Sequence, residues 1–247
     1  MERPFELVFS EGPTACVIRV HYTPELPAAL DSLGLRRLRP VLMLVGGADG
    51  LGEADLASLR SLFVRVLAPM AEALGAAVVD GGTDTGVMHL MGQAHHKTNS
   101  TFPLVGVAAT GTVTLPSSTS SSPDTASLEP HHTHFVFVPG SEWGDESPWL
   151  ARVASVLAEG APSVTVVVNG GETTWEDVGR SVEAGRPVVV VSGSGRTADV
   201  LAAALRGEEA DERAQSLLES GLIEAVELAA DCDDLWDTLE EILSAKY

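Results

Sequence analysis

Residues 164–174, VTVVVNGGETT, contain the pattern that decides the fold: a nearly continuous apolar segment, a glycine turn and polar residues that begin a helix. A strand that is apolar on both faces is typical of a parallel sheet covered by helices on both sides. The same order of apolar segment, glycine turn and helix recurs at 41–50, 76–86 and 188–197. This regular alternation predicts an α/β fold.

Hydrophobic periodicity predicts the individual elements. Helices are predicted over 53–74, 86–95, 147–158, 196–205, 211–220 and 233–244, and from Thr174. Strands are predicted at 41–45, 76–79, 104–108, 135–138, 164–168, 188–191 and 223–228. We therefore predict that residues 41–247 form a Rossmann-like three-layer αβα sandwich with a mostly parallel sheet.

Two segments fall outside this alternation. Residues 1–40 are predicted to be an N-terminal β extension and connection, with short β segments at Phe5–Phe9 and Cys16–Val20. Residues 116–130 are rich in Ser, Thr and Pro, which predicts a mobile surface loop.

The composition excludes several classes of partner. The 247 residues are 45% apolar and 20% charged, which is typical of a globular protein with a buried core. No apolar run approaches the roughly 20 residues that span a bilayer, and no signal segment follows Met1. Cys16 and Cys232 lack metal-ligand spacing and suit a reducing compartment. We expect a cytoplasmic protein with no membrane partner.

The charge balance restricts the ligand and how it is held. The formal net charge is −20, from 35 acidic and 15 basic residues, which argues against nucleic acids and anionic membranes. Lysine occurs only at Lys97 and Lys246. Recognition of a phosphate must therefore depend on backbone N–H groups, helix dipoles and a few arginines.

The glycine turns supply the candidate ligand-binding residues. Glycine tolerates φ > 0 and lets a ligand approach the main chain, and the helix that follows offers unpaired N–H groups. Right-handed crossovers place such turns along one edge of the sheet, where the ligand crevice of a doubly wound fold lies. The candidates are Gly46, Gly47, Gly81, Gly82, Thr83, Asp84, Thr85, Gly86, Gly170, Gly171, Glu172, Thr173, Thr174, Gly193, Ser194, Gly195 and Arg196.

The turns also narrow the class of function. None matches the Walker A motif or the G-x-G-x-x-G pattern, which argues against an ordinary kinase or nicotinamide dehydrogenase. For any single turn, tight packing is an alternative reason for glycine. If the second turn cradles phosphate, valine in place of Gly82 is expected to abolish binding while sparing the fold.

Three other side-chain groups are candidates. If residues 132–134 are extended, His132 and His134 point to one face beside His131, but no acidic or cysteine ligand is spaced to complete a metal shell. No metal is predicted, and ligand contact or strand-end hydrogen bonding is expected instead. Arg196 begins a helix, where a cation opposes the dipole unless a phosphate is bound. Trp175 is a candidate for stacking on a base, with core packing as the alternative.

Several stretches together resemble one superfamily. They are VVDGGTDTGVM (78–88), LVGVAATGTV (104–113), LEPHHTHFVFVPG (128–140), VTVVVNGGETTWEDV (164–178) and PVVVVSGSGRTADVLA (187–202). The chain is similar to the SLOG superfamily, and within it to prokaryotic relatives of the ligand-sensing N-terminal domain of melastatin-type TRP channels. The resemblance implies a Rossmannoid sensor or processor of nucleotide-derived molecules, with ADP-ribose or NAD-related ligands as the leading class. It also implies a homo-oligomer, and no cofactor is required.

The superfamily also contains LOG-type phosphoribohydrolases, whose hallmark is P-G-G-x-G-T followed by acidic residues. Here Asn169 replaces the proline and Thr173 the third glycine, while Thr174 and the acidic pair Glu176 and Asp177 fit. The resemblance makes Glu176 and Asp177 candidate catalytic residues, since a carboxylate beside a ribose stabilises an oxocarbenium-like transition state. Both departures fall on the phosphate turn, so binding without turnover is the favoured function. The alternatives are a nucleoside 5'-monophosphate N-glycosidase and a non-binding interaction protein.

Overall fold

A computed structural model describes residues 1–10, 12–47, 53–116, 124–208, 211–228 and 233–245. Its strands are β1 (Phe5–Leu7), β2 (Ala15–Arg19), β3 (Val41–Gly46), β4 (Ala77–Asp80), β5 (Leu104–Ala109), β6 (Val113–Thr114), β7 (Ala126–Ser127), β8 (His134–Val138), β9 (Ser163–Val168), β10 (Val188–Ser192) and β11 (Ile223–Glu227). Nine of them form one sheet in the order β1-β2-β8-β5-β4-β3-β9-β10-β11. Every pairing in this sheet is parallel except that of β1 with β2.

Helices cover both faces of the sheet. They are α1 (Leu26–Ser32), α2 (Glu53–Leu62), α3 (Ala68–Leu74), α4 (Gly86–Lys97), α5 (Ser147–Ala158), α6 (Glu172–Glu183), α7 (Arg196–Leu205), α8 (Glu212–Leu218) and α9 (Asp233–Leu243). A π-helical segment, Phe63–Leu67, joins α2 to α3 and completes the helical run predicted over 53–74. One face packs α1 and α5 to α8, and the other packs α2, α3, α4 and α9. The predicted three-layer αβα sandwich is confirmed.

The N-terminal β segments belong to the same sheet. In the antiparallel pair β1–β2, Phe5 lies opposite Val17, while β2 runs parallel to β8 with Cys16 opposite His134. The two predicted N-terminal β segments therefore form one edge of the central sheet. Cys16 is a free thiol, and Cys232 lies outside the described residues.

The chain reverses its direction across the sheet at β3. From β3 it moves outward to β4, β5 and β8, and then returns to β9, β10 and β11 on the other side. The helices after β3 and β4 cover one face, whereas those after β9 and β10 cover the other. The paired strands β3 and β9 therefore form the switch point, outside which ligands bind in open α/β sheets.

The four glycine turns follow four neighbouring strands, β4, β3, β9 and β10. Because these strands are parallel, their C-terminal ends, and the turns, lie on one edge of the sheet. The prediction of a shared edge is confirmed. Of the first turn, Gly46 and Gly47 are described, and residues 48–50 lie outside the described residues.

The segment predicted as a surface loop is partly core. Residues 117–123 lie outside the described residues, but Leu128 is 4% exposed and Glu129 is fully buried. The Glu129 amide donates to the Gly82 carbonyl at 3.0 Å, and Thr83 forms an isolated antiparallel β-bridge with Leu128. The surface-loop prediction is wrong for this end of the segment, because its backbone pairs with the second glycine turn.

Candidate functional site

A cavity of about 460 Å³ lies above the C-terminal ends of β3, β4 and β5, and we call it the strand-end cavity. Its size suits a small organic molecule. The starts of three helices contribute lining residues: the N-cap Thr85 with Met88 of α4, the N-cap Glu146 with Leu150 of α5, and Thr173 of α6 with Asp177 one turn further on. Three helix amino-terminal ends therefore meet at one cavity.

The start of α4 is open to this cavity. The first turn of a helix leaves backbone N–H groups without intrahelical acceptors. Within the described residues the Thr85 side chain does not cap the helix, and its Oγ1 lies 3.0 Å from Thr83 Oγ1. A Cβ atom at Gly81 would lie no closer than 3.8 Å to Met88. Gly81 thus leaves the approach to these N–H groups clear.

A buried cluster of charged side chains contacts the same glycine turn on the side away from the cavity. Asp80, the last residue of β4, accepts the Gly82 amide at 2.8 Å, and the same Oδ1 lies 2.8 Å from His132 Nε2. The other ring nitrogen of His132, Nδ1, lies 2.8 Å from Glu129 Oε2. Burial favours the neutral ring, but the two carboxylates outweigh it and raise the pKa of His132 to about 9. His132 is therefore an imidazolium that links the turn to residues 128–132.

Glu129 extends this cluster to His131. Its carboxylate accepts the His131 amide at 2.8 Å and contacts His131 Nδ1 at 2.7 Å. Burial opposes ionisation of Glu129, yet the hydrogen bonds and charge of His132, together with His131, lower its pKa. The carboxyl group fills the space that a side chain at Gly92 of α4 would need. The motif LEPHHTH therefore includes a buried electrostatic support for the turn.

His134 does not join this group. Its Nδ1 lies 2.8 Å from Thr133 Oγ1, and burial, with Arg39 nearby, lowers its pKa to about 4 although the Leu33 backbone opposes this. The condition under which His132 and His134 would share a face is not met, because β8 begins only at His134. Among the described residues, no three potential ligands converge on a metal site.

The strand-end cavity contains two carboxyl groups, of which the sequence predicted one. Asp177 is 9% exposed, and its burial, reinforced by Glu146 and Glu176, raises its pKa to about 7. Burial also raises the pKa of Glu146, although the Gly144 amide donates to its Oε2 at 3.1 Å. Glu176, by contrast, is exposed and pairs with Arg180 at 3.1 Å. Of the two candidate catalytic residues, only Asp177 lines the cavity.

The third and fourth glycine turns are bound to each other. The Asn169 amide donates to Ser194 Oγ at 2.7 Å, and Thr197 Oγ1 donates to the Gly171 carbonyl at 3.1 Å. Arg196 extends back over Gly171, where its Nη2 atom lies 3.5 Å from the position of an added Cβ. The Arg196 guanidinium therefore lies over Gly171. In the sequence, Gly171 precedes the cavity-lining Thr173 by two residues.

Several amides of these two turns already have acceptors. The Gly170 amide donates to Asn169 Oδ1 at 2.8 Å, and that of Gly171 to Thr174 Oγ1 at 3.0 Å. The Gly193 amide donates to Asp199 Oδ1 at 2.6 Å. In this conformation, the hydroxyl of Thr174 and the glycine amides serve the turns themselves.

The predicted ligand-binding residues therefore separate into two groups. Five line the strand-end cavity: Gly46, Gly81, Thr83, Thr85 and Thr173. The others lie outside its lining: Gly47, Gly82, Asp84, Gly86, Gly170, Gly171, Glu172, Thr174, Gly193, Ser194, Gly195 and Arg196.

Packing explains two of these glycines. Gly82 has φ +69°, and a Cβ atom there would lie 2.8 Å from Gly106 Cα and 2.9 Å from the Phe135 ring. Gly46 has φ +132°, and a side chain there would collide with the Val168 carbonyl of the neighbouring strand. The expectation that Gly82→Val spares the fold is therefore wrong, because the β4 turn packs directly on β5 and β8.

An outer groove of about 750 Å³ adjoins the strand-end cavity and shares Trp143 and Thr173 with it. Trp143 is 49% exposed. Trp175, the tryptophan predicted to stack on a base, lies in the groove with the Arg213 guanidinium 4.5 Å from its ring centroid. Trp143 therefore offers the more accessible aromatic face. Trp143 lies in the turn after β8, which contains no pair of adjacent glycines. The glycine pattern in the sequence therefore did not identify Trp143 as a candidate.

Together, these features define a class of protein: a Rossmannoid α/β domain with a small-molecule cavity at its switch point. A family model described as "SLOG in TRPM, prokaryote" matches residues 39–235. The chain belongs to this family, which supports a ligand-binding or sensing domain.

Animal proteins are among the curated relatives of this chain. The chain is 28% identical over 179 residues to transient receptor potential cation channel subfamily M member 2 of Mus musculus, covering 58% of this chain and 12% of that protein. It is 30% identical over 198 residues to subfamily M member-like 2 of Nematostella vectensis, covering 65% of this chain and 13% of that protein. The chain thus spans about an eighth of their length. In the part of the chain that the structure describes, no helix is long and apolar enough to cross a membrane.

Proposed function

We propose that this protein binds a nucleotide-derived phosphorylated ligand, of the ADP-ribose or NAD-related class, in the strand-end cavity. The observation that carries the proposal is the convergence of three helix amino-terminal ends on one cavity at the switch point. The starts of α4 and α6 offer backbone donors, and all three ends carry a partial positive charge, which suits phosphate in a chain with a net charge of −20. At α5 the amides of Ser147, Trp149 and Leu150 already donate to the carbonyls of Gly144 and Glu146, so that end contributes its dipole alone.

The cavity suggests a place for each part of the ligand. A phosphate would accept hydrogen bonds from the start of α4, beside Thr83 and Thr85, where Gly81 leaves room. Trp143, at the border with the outer groove, would stack on the base. Asp177 and Glu146 would meet the ribose hydroxyls. A ligand with two ends would extend past Thr173 into the outer groove.

Thermal unfolding with a panel of ligands tests this proposal, since a ligand that binds only the folded state raises the Tm. ADP-ribose is expected to raise the Tm, and adenosine at equal concentration is not, because adenosine lacks the phosphates. Gly81→Val should abolish the shift by filling the cavity.

Gly179→Val is the matched control, because a Cβ atom at that position on α6 meets only Leu217, at 4.0 Å. No shift with any phosphorylated nucleotide would contradict the proposal and favour a non-binding interaction protein.

A second candidate is a nucleoside 5'-monophosphate N-glycosidase, and the position of Asp177 favours it. Water would attack C1' as the bond to the base breaks, the base would leave with the proton that the water loses, and the Asp177 carboxylate would stabilise the positive charge on the ribose. Prolonged incubation with AMP, followed by chromatography for free adenine, tests it. Release that is lost in Asp177→Asn but kept in Glu176→Gln would establish turnover. No release from the wild-type protein would leave binding as the function.

We also propose a cytoplasmic homo-oligomer, as the family resemblance implies. Light scattering after size exclusion tests the assembly: a mass above the 25.8 kDa of one chain supports it, and a mass of one chain contradicts it.

A further inference from the structure

A second cavity, of about 650 Å³, lies on the outer side of α4 against α2 and the π-helical segment, and we call it the α4 cavity. Its rim carries four exposed basic side chains: Arg60, His89, His96 and Lys97. Apolar side chains lie beneath them, among them Val64 and Leu90, of which Leu90 is 6% exposed. The lining, as far as the structure describes it, contains no aspartate or glutamate.

The charge of this rim contrasts with the rest of the chain. Acidic residues outnumber Lys and Arg by 35 to 15, and the rim brings together one of the two lysines, an arginine and two of the seven histidines. The carboxylate of Asp84 contacts the rim, with its Oδ1 atom 2.6 Å from His89 Nδ1. The paired positive charges of Arg60 and Lys97 on an anionic protein attract anions that the remaining surface repels.

The dipole of α4 explains only part of the cluster. His96 and Lys97 lie in the last turn of α4, where cations are favourable without any ligand. Arg60 belongs to α2, however, and His89 lies near the start of α4, so the carboxyl-terminal end of the α4 dipole accounts for neither of them. The π-helical segment contributes Val64 to the cavity, and such segments occur frequently at functional sites.

We propose that the α4 cavity binds a small organic phosphate, with the anionic group between Arg60, His96 and Lys97 and an apolar body against Val64 and Leu90. This site is separate from the strand-end cavity, because α4 forms a wall between them. Met88 lines the strand-end cavity, whereas His89, Gln93 and Lys97 line the α4 cavity. The proposal therefore does not depend on the nucleotide ligand.

Phenyl phosphate, which joins a phosphate to an apolar ring, is the probe. We would titrate it by calorimetry into Gly81→Val, in which the strand-end cavity is filled, and expect binding to remain. Arg60→Glu or Lys97→Glu in this background should weaken it at least tenfold. Inorganic phosphate should bind more weakly, because it lacks the apolar body.

Arg152→Glu is the matched control, because it makes the same charge change on an exposed residue of α5, on the opposite face of the sheet. It should leave the affinity unchanged. The imidazole NMR signals of His89 and His96 should shift on titration.

Absence of phenyl phosphate binding in the Gly81→Val background, or equal weakening by Arg152→Glu, would overturn the proposal. ADP-ribose binding by Arg60→Glu reports separately on the strand-end cavity, so failure of one site is distinguishable from failure of the other.

Discussion

His132 Nε2 lies 2.8 Å from Asp80 Oδ1, the oxygen that also accepts the amide of Gly82. A single buried carboxylate thus ties a glycine turn to a histidine 52 positions further along the chain. With Glu129 on its other nitrogen, the ring has a carboxylate at both ends and stays protonated. The conformation of the turn at the strand-end cavity therefore depends on a charge that its local sequence does not contain.

The first prediction concerns this charge and the stability of the fold. The pKa of His132 rises from 6.5 to about 9 on folding, which corresponds to about 3 kcal/mol. Because the folded-state pKa is the higher one, the contribution is complete below pH 6.5 and is lost as the pH rises through 9. His132→Gln should lower the free energy of unfolding at pH 6 by about 3 kcal/mol, and the gap should close above pH 9.

Urea unfolding of both proteins between pH 6 and 10 measures this difference. His89→Gln, at an exposed histidine that pairs with Asp84, is the control and should cost under about 1 kcal/mol. A gap for His132→Gln that does not change with pH would show that the histidine acts by packing alone.

The second prediction distinguishes two adjacent glycines. Gly82→Ala should destabilise the fold, because φ is +69° and the added Cβ would lie 2.8 Å from Gly106 Cα. Gly81→Ala should leave the Tm within a few degrees, because its added Cβ has space in the cavity, with Met88 at 3.8 Å. Thermal unfolding of the two variants in parallel measures the difference. Equal losses would mean that the turn rearranges freely around either position.

The sequence predicts the features of this site that depend on residues close together in the chain, and it does not predict those that depend on contacts between distant strands. The order of strands and helices was predictable, because apolar runs and helical spacing lie within each element. The Asp80–His132 pair was not, since it requires β4, β5 and β8 to lie side by side. The sequence also could not separate Gly82, which packs on Gly106, from Gly81, which faces the cavity.

The candidate residues of the third turn show the same limit. Glu176 and Asp177 both fit the motif, but adjacent residues on a helix point about 100° apart. The position of α5 then decides that Asp177 is enclosed while Glu176 faces Arg180 and solvent. Only the tertiary structure supplies that information.

The third prediction is that Trp143 stacks on the base of the bound nucleotide. Aromatic stacking on a base contributes about 1–3 kcal/mol. Trp143→Ala should therefore weaken ADP-ribose binding by roughly tenfold or more, and should leave the affinity for ribose 5-phosphate unchanged, because that ligand has no base. Calorimetry with both ligands gives the comparison. Trp175→Ala is the control within the outer groove, and equal losses for the two ligands would place Trp143 away from the base.

The fourth prediction uses the buried carboxyl group of Asp177. Its pKa rises from 3.8 to about 7 on folding, so the associated stability is complete below pH 3.8 and is lost as the pH rises through 7. The difference amounts to at most about 4 kcal/mol. Asp177→Asn, which cannot ionise, should be more stable than the wild type at pH 8, and the advantage should shrink towards pH 4. Glu176→Gln should show no such trend in urea unfolding.

The fifth prediction separates binding from turnover through the same group. An anionic ligand in the strand-end cavity meets the carboxyls of Asp177 and Glu146, whose pKa values burial raises. As the pH rises from 6 to 8, Asp177 ionises and repels the ligand, so the affinity for ADP-ribose should fall several-fold, and Asp177→Asn should flatten the profile. A glycosidase would need the ionised carboxylate, and its rate would rise over the same range. Affinity that is constant from pH 6 to 8 would mean that no part of the ligand, the ribose included, lies beside Asp177, and would contradict the proposed placement.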